Sequence, residues 1–414
     1  MHLIFENVVP LLLDLWSGQS KHGNEEDEPY VLQKSVLTAI AEAVAASGDT
    51  IPSIFGRRLP HPFDKRYEYT AEAWMLWVQH IAPTVLHHRF ENDEYYRHFV
   101  RFATLVNKCL AFTYPQGFFL HLRNEMAGWV SHYERLYYRG QPARVGLCPS
   151  TIHALLHIAQ CVEQAGPVWV YWAFPMERYC GLLQRSVTGH NNPYPSIDRR
   201  AVEIAQLDQL KLLLNMPQLG RRHRLTNETG AQFESYPNQR LLPPQSIVKL
   251  AGPLRTKVIQ HLTIYHGLSQ VDAQDRLPGH IQQWGKVQLR DGSGSIHALQ
   301  GLRTADRRDM TFVRYHAPSA TESAPLVAYG QLQHVFELAP FGAAQPVLLA
   351  IIRRCIPLQT GLRLASLVYE QLGAMEVIDL GSVDCVVGRI PDKRGHWTII
   401  ERSEGHYERH DDAV

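Results

Sequence analysis

The sequence predicts an α+β chain of several units: a mainly α-helical region over residues 1–214, a linker over 215–252, and a small all-β module, barrel or sandwich, over 253–405. Three observations predict it. Up to about residue 215, apolar residues recur at spacings of three and four, the period of helices with one buried face. Residues 215–250 show no period and are rich in Pro, Gly and polar residues, as in a connector or irregular arm. Past Gly267 the pattern turns to short runs of β-branched and aromatic residues bounded by turn chemistry.

The elements follow in order. The opening MHLIFENVVPLLLDLW is apolar, yet it has no basic leader, carries Glu6 and Asp14, and lacks a small-residue cleavage site. It reads as a buried helix ending near Trp16. A second helix covers 30–46, and a third starts after Thr70, which caps it with Glu72 in the first turn. Further helices cover 95–110, 118–138, 149–165, 175–187 and 196–214, with breaks at Ile51-Pro52, Tyr114-Pro115 and Cys148-Pro149. The acidic run at 25–28 reads as a solvated loop. After a short helix near 258–267, the runs GKVQLRDGSGSIHA, MTFVRYHA, LVAYGQLQHVFEL, PVLLAIIRRC, MEVIDLGSVDCVVGRI and HWTIIERS predict five to seven strands. GSG at 292–294 is a hairpin turn rather than a phosphate loop, because no helix or Lys-Ser/Thr follows it.

Composition narrows the function. The net charge is +1 with 22 histidines, so there is no global electrostatic footprint for nucleic acid, and any DNA contact rests on local patches. Six cysteines without a CxxC pair build neither a zinc ribbon nor a disulfide framework, which places the chain in a reducing compartment, nuclear or cytoplasmic. No run of 18 apolar residues predicts a membrane span.

Three features bear on chemistry. His153 and His157 in TIHALLHI stand at i and i+4 of one helix and present two imidazoles to one metal; the alternative is a half-buried pair satisfied by its neighbours. Glu177 in VWVYWAFPMERYCG follows Pro175 among Trp172, Phe174, Met176 and Tyr179, an apolar setting that is costly for a carboxylate unless it is paired or bound to a cation. A metal-ligand role for Glu177 competes with an ion pair to Arg178 or Arg185 and with the helix terminus. The third is His2, at the very start of the apolar helix. Glu72 is a second candidate carboxylate, explained by capping alone. Arg57, Arg58, Arg199, Arg200, Arg221, Arg222 and Arg224 form short basic clusters that fit phosphates without reading sequence, or are simply solvated.

The blocks MHLIFENVVPLLLDLWSG, TIPSIFGRRLP, TAEAWMLWVQHIAPTVL, CPSTIHALLHIAQCVEQAGPVWVYWAFPMERYCGLLQ, YGQLQHVFEL and VIDLGSVDCVVGRIP together resemble, in order, the fungal branch of the CACTA (En/Spm) type transposon transposases. The resemblance implies an RNase H-like core whose two aspartates and one glutamate hold two divalent ions, Mg²⁺ or Mn²⁺, with a helical insertion before the glutamate. It makes Glu177 that glutamate and the chain the C-terminal part of such an enzyme. It also implies a structural Zn²⁺ held by His2, His153 and His157, resembling the zinc site of the related V(D)J recombinase insertion, with an Asp ligand expected just before Met1. The partner it implies is transposon-end DNA, and a homo-oligomer stays open. The catalytic aspartates are expected upstream of residue 1, so this chain is expected to be inactive alone. The alternative is a non-enzymatic, transposon-derived interaction protein binding DNA or protein.

Overall fold

The structure is a computed structural model and describes residues 2–22, 28–187, 193–216, 230–290, 294–301, 308–317, 326–338, 346–358 and 367–402. It has helices in the N-terminal part and a curled antiparallel sheet in the C-terminal part, an α+β layout.

The chain opens with a π-helical stretch, His2–Val8, that runs into α1, Val9–Trp16. Pro10 lies in the first turn of α1, and its missing N–H accounts for the widened ladder before it. As the apolar sequence predicts, Phe5, Val8, Val9, Leu12, Leu13, Leu15 and Trp16 are buried. α2 covers Lys34–Thr50. α3, Ala71–Leu76, is capped by the Thr70 hydroxyl, which accepts from the Ala73 N–H at 3.4 Å. A π turn leads to α4, Ala82–Val85. α5, Asp93–Cys109, starts where Asn92 Oδ1 accepts from the Glu94 N–H at 2.9 Å, and α6, Phe118–Tyr133, packs against it. α7, Ser150–Ala154, tightens into a 3₁₀ turn at Leu155–His157 and reopens as α8, Ile158–Ala165. α9, Val168–Tyr171, α10, Phe174–Gln184, and α11, Tyr194–Leu213, complete the helical half.

Its core is aromatic. Trp16 meets Phe99 edge-on at 5.4 Å, and its indole N–H donates to the Tyr137 hydroxyl at 3.1 Å. His98 stacks on Trp129 at 4.4 Å. The indole N–H of Trp16 and that of Trp129, which donates to the His98 carbonyl at 3.0 Å, find partners, whereas the Trp77 indole nitrogen and His98 Nδ1 are buried without one.

The sheet is made of β1 Ala231–Gln232, β2 Gln239–Lys249, β3 His280–Leu289, β4 Ser295–His297, β5 Phe312–Ala317, β6 Leu326–Leu338, β7 Val347–Pro357, β8 Val368–Asp379, β9 Val383–Val386, β10 Gly388–Pro391 and β11 Trp397–Ile400. The main path runs β1-β2-β3-β6-β7-β8-β11-β10, with β4 on β3 and β5 between β6 and β9. One edge of β6 therefore pairs with β5 through Gln331 and with β3 from Val335 onward, and this split bends the sheet. At Gly330 a Cβ would meet the Arg353 carbonyl oxygen at 2.6 Å, so only glycine allows β6 and β7 to approach there. α12, Gly252–Tyr265, and α13, Gln270–Arg276, cover one face through Val258, Leu262, Phe336, Leu349 and Ile351.

Three expectations are corrected. Residues 239–249, read as linker, form an 11-residue strand of the sheet. Pro243 and Pro244 had argued against a strand, and the ladder with β3 is indeed irregular between Leu242 and Gln245, where prolines have no N–H to give. The strands number 11 among the described residues rather than five to seven, because short pieces such as β1, β4 and β9 carry no run of their own. Glu28, read as part of a solvated loop, is buried, paired with Arg144 and with Arg139 at 2.8 Å.

The two halves meet along α2 and β10. The Asp309 N–H donates to the Asp49 carbonyl at 2.7 Å, Arg308 donates to the Gly56 carbonyl at 2.7 Å, and Ile390 and Ile400 enter the helical core. No helix among the described residues is long and apolar enough to cross a membrane.

Candidate functional site around Glu177

Glu177 lies in the first turn of α10, just after Pro175. Its Oε1 is 3.6 Å from His2 Nε2, with the two side chains 49% and 61% exposed. The other nitrogen of His2, Nδ1, is bonded to Glu6 one turn along the first helix. Arg178, beside Glu177, faces Glu72 of α3 at 3.7 Å. Three carboxylates, Glu6, Glu72 and Glu177, thus gather around His2 and Arg178 where the first helix, α3 and α10 come together.

His153 and His157 are brought together as the i, i+4 spacing predicts: their Nε2 atoms are 3.3 Å apart and their rings meet edge-on at 5.1 Å. Two such nitrogens either share one proton or turn both lone pairs to one cation. With Zn–N bonds of about 2.0–2.1 Å, tetrahedral angles put two ligand nitrogens roughly 3.3–3.4 Å apart, so the pair fits two positions of a zinc site. Among the described residues no group of three His, Cys, Asp or Glu is placed to hold a metal ion, and the contacts of His2 are with Glu6 and Glu177.

Between the first helix, α5, α8 and α10 lies an apolar cavity of about 340 Å³, lined among others by Ile4, Val106, His157, Tyr171, Trp172 and Phe174. It underlies the segment that carries Glu177.

The reasoning that led to Glu177 is corrected. Its sequence neighbours are apolar, but Met176 is 65% exposed and Tyr179 and Leu182 about 40%, so the carboxylate stands in water and not in a greasy pocket. Of the flanking aromatics, only Phe174 is buried and Trp172 half-buried. Apolar neighbours in sequence do not bury a residue, because burial depends on what packs over the segment. Nor does Glu177 pair with Arg178, which turns to Glu72.

The basic clusters are partly spoken for. Arg57 donates to the Glu68 carbonyl, Arg58 bonds Asp49, and Arg200 reaches Glu203 at 3.3 Å. Arg199 is exposed on α11. Arg221, Arg222 and Arg224 lie outside the described residues.

Sequence reasoning missed Glu6 as a partner of His2, although the i, i+4 spacing was there to read. It also missed the cavity, which no spacing announces. A comparison with protein-family models, curated proteins and solved structures finds no match to this chain.

Proposed function

We propose that the chain is the insertion and C-terminal part of a DDE-type DNA transposase, with Glu177 as a metal-binding carboxylate that completes its site only against a separate RNase H-like core. The observation that carries this reading is the exposed apolar face around the glutamate: Trp169, Val170, Tyr171, Met176, Tyr179 and Leu182 all face water. Exposed apolar side chains in such number mark a docking surface, and Glu177 is carried by the same helix as Met176, Tyr179 and Leu182. Mg²⁺ or Mn²⁺ bound by a complete carboxylate cage would activate water and stabilise the leaving 3′ oxygen of a DNA strand. Glu177 alone is one ligand of such a cage, so the isolated chain does not cleave DNA. The His153 and His157 pair fits half of a structural zinc site, and His2 supports the glutamate. Arg199 and Arg200 on α11 follow the backbone of transposon-end DNA.

The curled sheet reads as a barrel. In support, the pairings lead from β5 through β6, β7, β8 and β11 to β10, and Val387, between β10 and β9, donates its N–H to the Phe312 carbonyl of β5 at 2.9 Å.

The test is Mn²⁺-dependent nicking of supercoiled plasmid by the chain combined with an RNase H-like core carrying the two aspartates. The combination is expected to nick DNA, Glu177→Gln to lower the rate about a hundredfold or more, and Glu72→Gln to leave it within about twofold. Nicking that survives Glu177→Gln, or a core that does not associate with the chain, overturns the proposal. In the latter case a non-enzymatic interaction protein is the reading left, favoured by the lack of a three-ligand group among the described residues.

A further inference from the structure

The apolar cavity beneath α10 has the build of a small-molecule site, whatever the role of Glu177 above it. Its volume of about 340 Å³ is at the lower end of the roughly 300–1,000 Å³ usual for ligand pockets. The floor belongs to the packed core: Phe5 of the first helix, Val106 and Cys109 of α5 and Val162 of α8 line it, each at most 2% exposed. His157, Cys161 and Tyr171 line it as well and face water. A lining buried on one side and exposed on the other makes a pocket with a mouth rather than a sealed void.

The chemistry of the lining excludes most ligands. Among the described residues no Asp, Glu, Lys or Arg lines the cavity, so a charged group inside would lose its hydration with nothing to replace it. The Cys109 thiol reports the same surroundings: burial pushes its pKa up to about 12, with the charge of Glu125 adding to the shift. Water fits poorly too, because a held water needs about two to four polar partners and the buried part of the lining offers one thiol.

Size and shape narrow the choice further. An apolar cavity of about 150 Å³ takes one benzene ring, so about 340 Å³ takes roughly two fused rings. Phe5, Tyr171, Trp172 and Phe174 bring four aromatic side chains to one lining, and Trp172 and Phe174 meet edge-on at 5.0 Å. Such walls favour a flat ring that stacks on one face and meets another by its edge, which an alkyl chain of equal volume does not do. At the mouth, burial raises the Tyr171 pKa, and the Cys161 and Cys109 thiols add to the shift. Its hydroxyl is therefore a neutral donor for one polar group.

We propose that this cavity binds an uncharged bicyclic aromatic molecule, its rings between the first helix and the Trp172 and Phe174 pair, its single polar group at the mouth beside Tyr171 and His157. Bound there, it joins the packed core to α9 and α10, which bury only Phe174 on their own.

The experiment is calorimetric titration of the full chain with naphthol as the probe, beside phenol, naphthalene sulfonate and octanol. Naphthol is expected to bind at least about tenfold more tightly than the single ring, the charged bicycle or the alkyl chain. Ala154→Phe puts a ring into the cavity from its lining and is expected to weaken naphthol about tenfold or more. Tyr171→Ala removes one aromatic wall at a position 47% exposed, so it stays folded even where Ala154→Phe does not, and is expected to weaken naphthol about fivefold. Met176→Ser with Tyr179→Ser is expected to leave the titration unchanged, which separates the cavity from adsorption to the exposed side chains of α10. Naphthol that binds no better than octanol or the sulfonate, affinity untouched by Tyr171→Ala, or affinity lost in the Met176 and Tyr179 variant overturns the proposal.

Discussion

Two stretches of the helical half, consecutive in sequence, stand in opposite relation to water. Up to Ala165 the helices sink into one core, and α5 alone buries ten of its 17 residues. From Val168 to Leu213, α9 and α11 bury none and α10 only Phe174. Composition does not separate them: VWVY and FPMERYCGLL are as apolar as much of the buried part. What differs is the number of neighbours. The first stretch is closed by its own chain, whereas the second leaves aromatic and aliphatic side chains near Glu177 exposed.

The sharpest way to break this contrast is to empty one site in each stretch. Trp129 is fully buried, stacks on His98 and donates its indole N–H to the His98 carbonyl at 3.0 Å. Trp129→Ala is expected to cost about 3–5 kcal/mol, because it leaves a large void and removes the indole hydrogen bond. Trp169→Ala, at a residue 39% exposed, is expected to cost under about 1 kcal/mol. Urea unfolding reads both as shifts of the midpoint at constant slope. Equal shifts would abolish the distinction.

A pH titration sharpens it next. Burial pushes the His98 pKa down to about 3, with its Nε2–H held on the Trp129 carbonyl at 3.3 Å. In the unfolded chain the ring titrates near its ordinary value of about 6.5. Between these values the unfolded state binds the extra proton, so the stability from a neutral His98 is complete above about pH 6.5 and is lost as pH falls toward 3. The melting temperature is expected to fall from pH 7 to pH 5, and His98→Phe to lessen that fall.

The same contrast explains what could be read from sequence. Helices with a buried face announce themselves by period, so α1, α5 and α6 lie close to their expected bounds, and Thr70 caps α3 because its hydroxyl precedes an apolar run. β6 occupies Leu326–Leu338, the run that alternates most clearly. β2 was hidden because its two prolines are stop signals in isolation, and only a bulge against β3 accommodates them. Glu28 was hidden because an acidic run signals solvent, while Arg139 and Arg144, more than a hundred residues away in the chain, provide the charge that lets it be buried. At the candidate site, the i, i+4 spacing of His153 and His157 was enough to bring them together. The surroundings of Glu177 were not legible, since apolar neighbours in sequence say nothing about whether a second layer covers them.

The smallest expected effect on the isolated chain tests whether such a second layer exists. Met176 and Tyr179 flank Glu177 on α10 and are 65% and 39% exposed. The pair of substitutions Met176→Ser and Tyr179→Ser removes apolar area that is already in water, so thermal unfolding of the chain alone is expected to change by within about 0.5 kcal/mol per site. Were the face merely a surface, nothing else would follow. If it docks a catalytic core, these side chains sit at the centre of the buried patch, where aromatic and Met anchors carry most of the binding energy. The same variant is then expected to weaken association with the core at least about tenfold in a sedimentation or titration measurement, with Glu177 untouched. A change in folding stability as large as that of Trp129→Ala would mean instead that α10 is packed within its own chain, and the docking face around Glu177 would be gone.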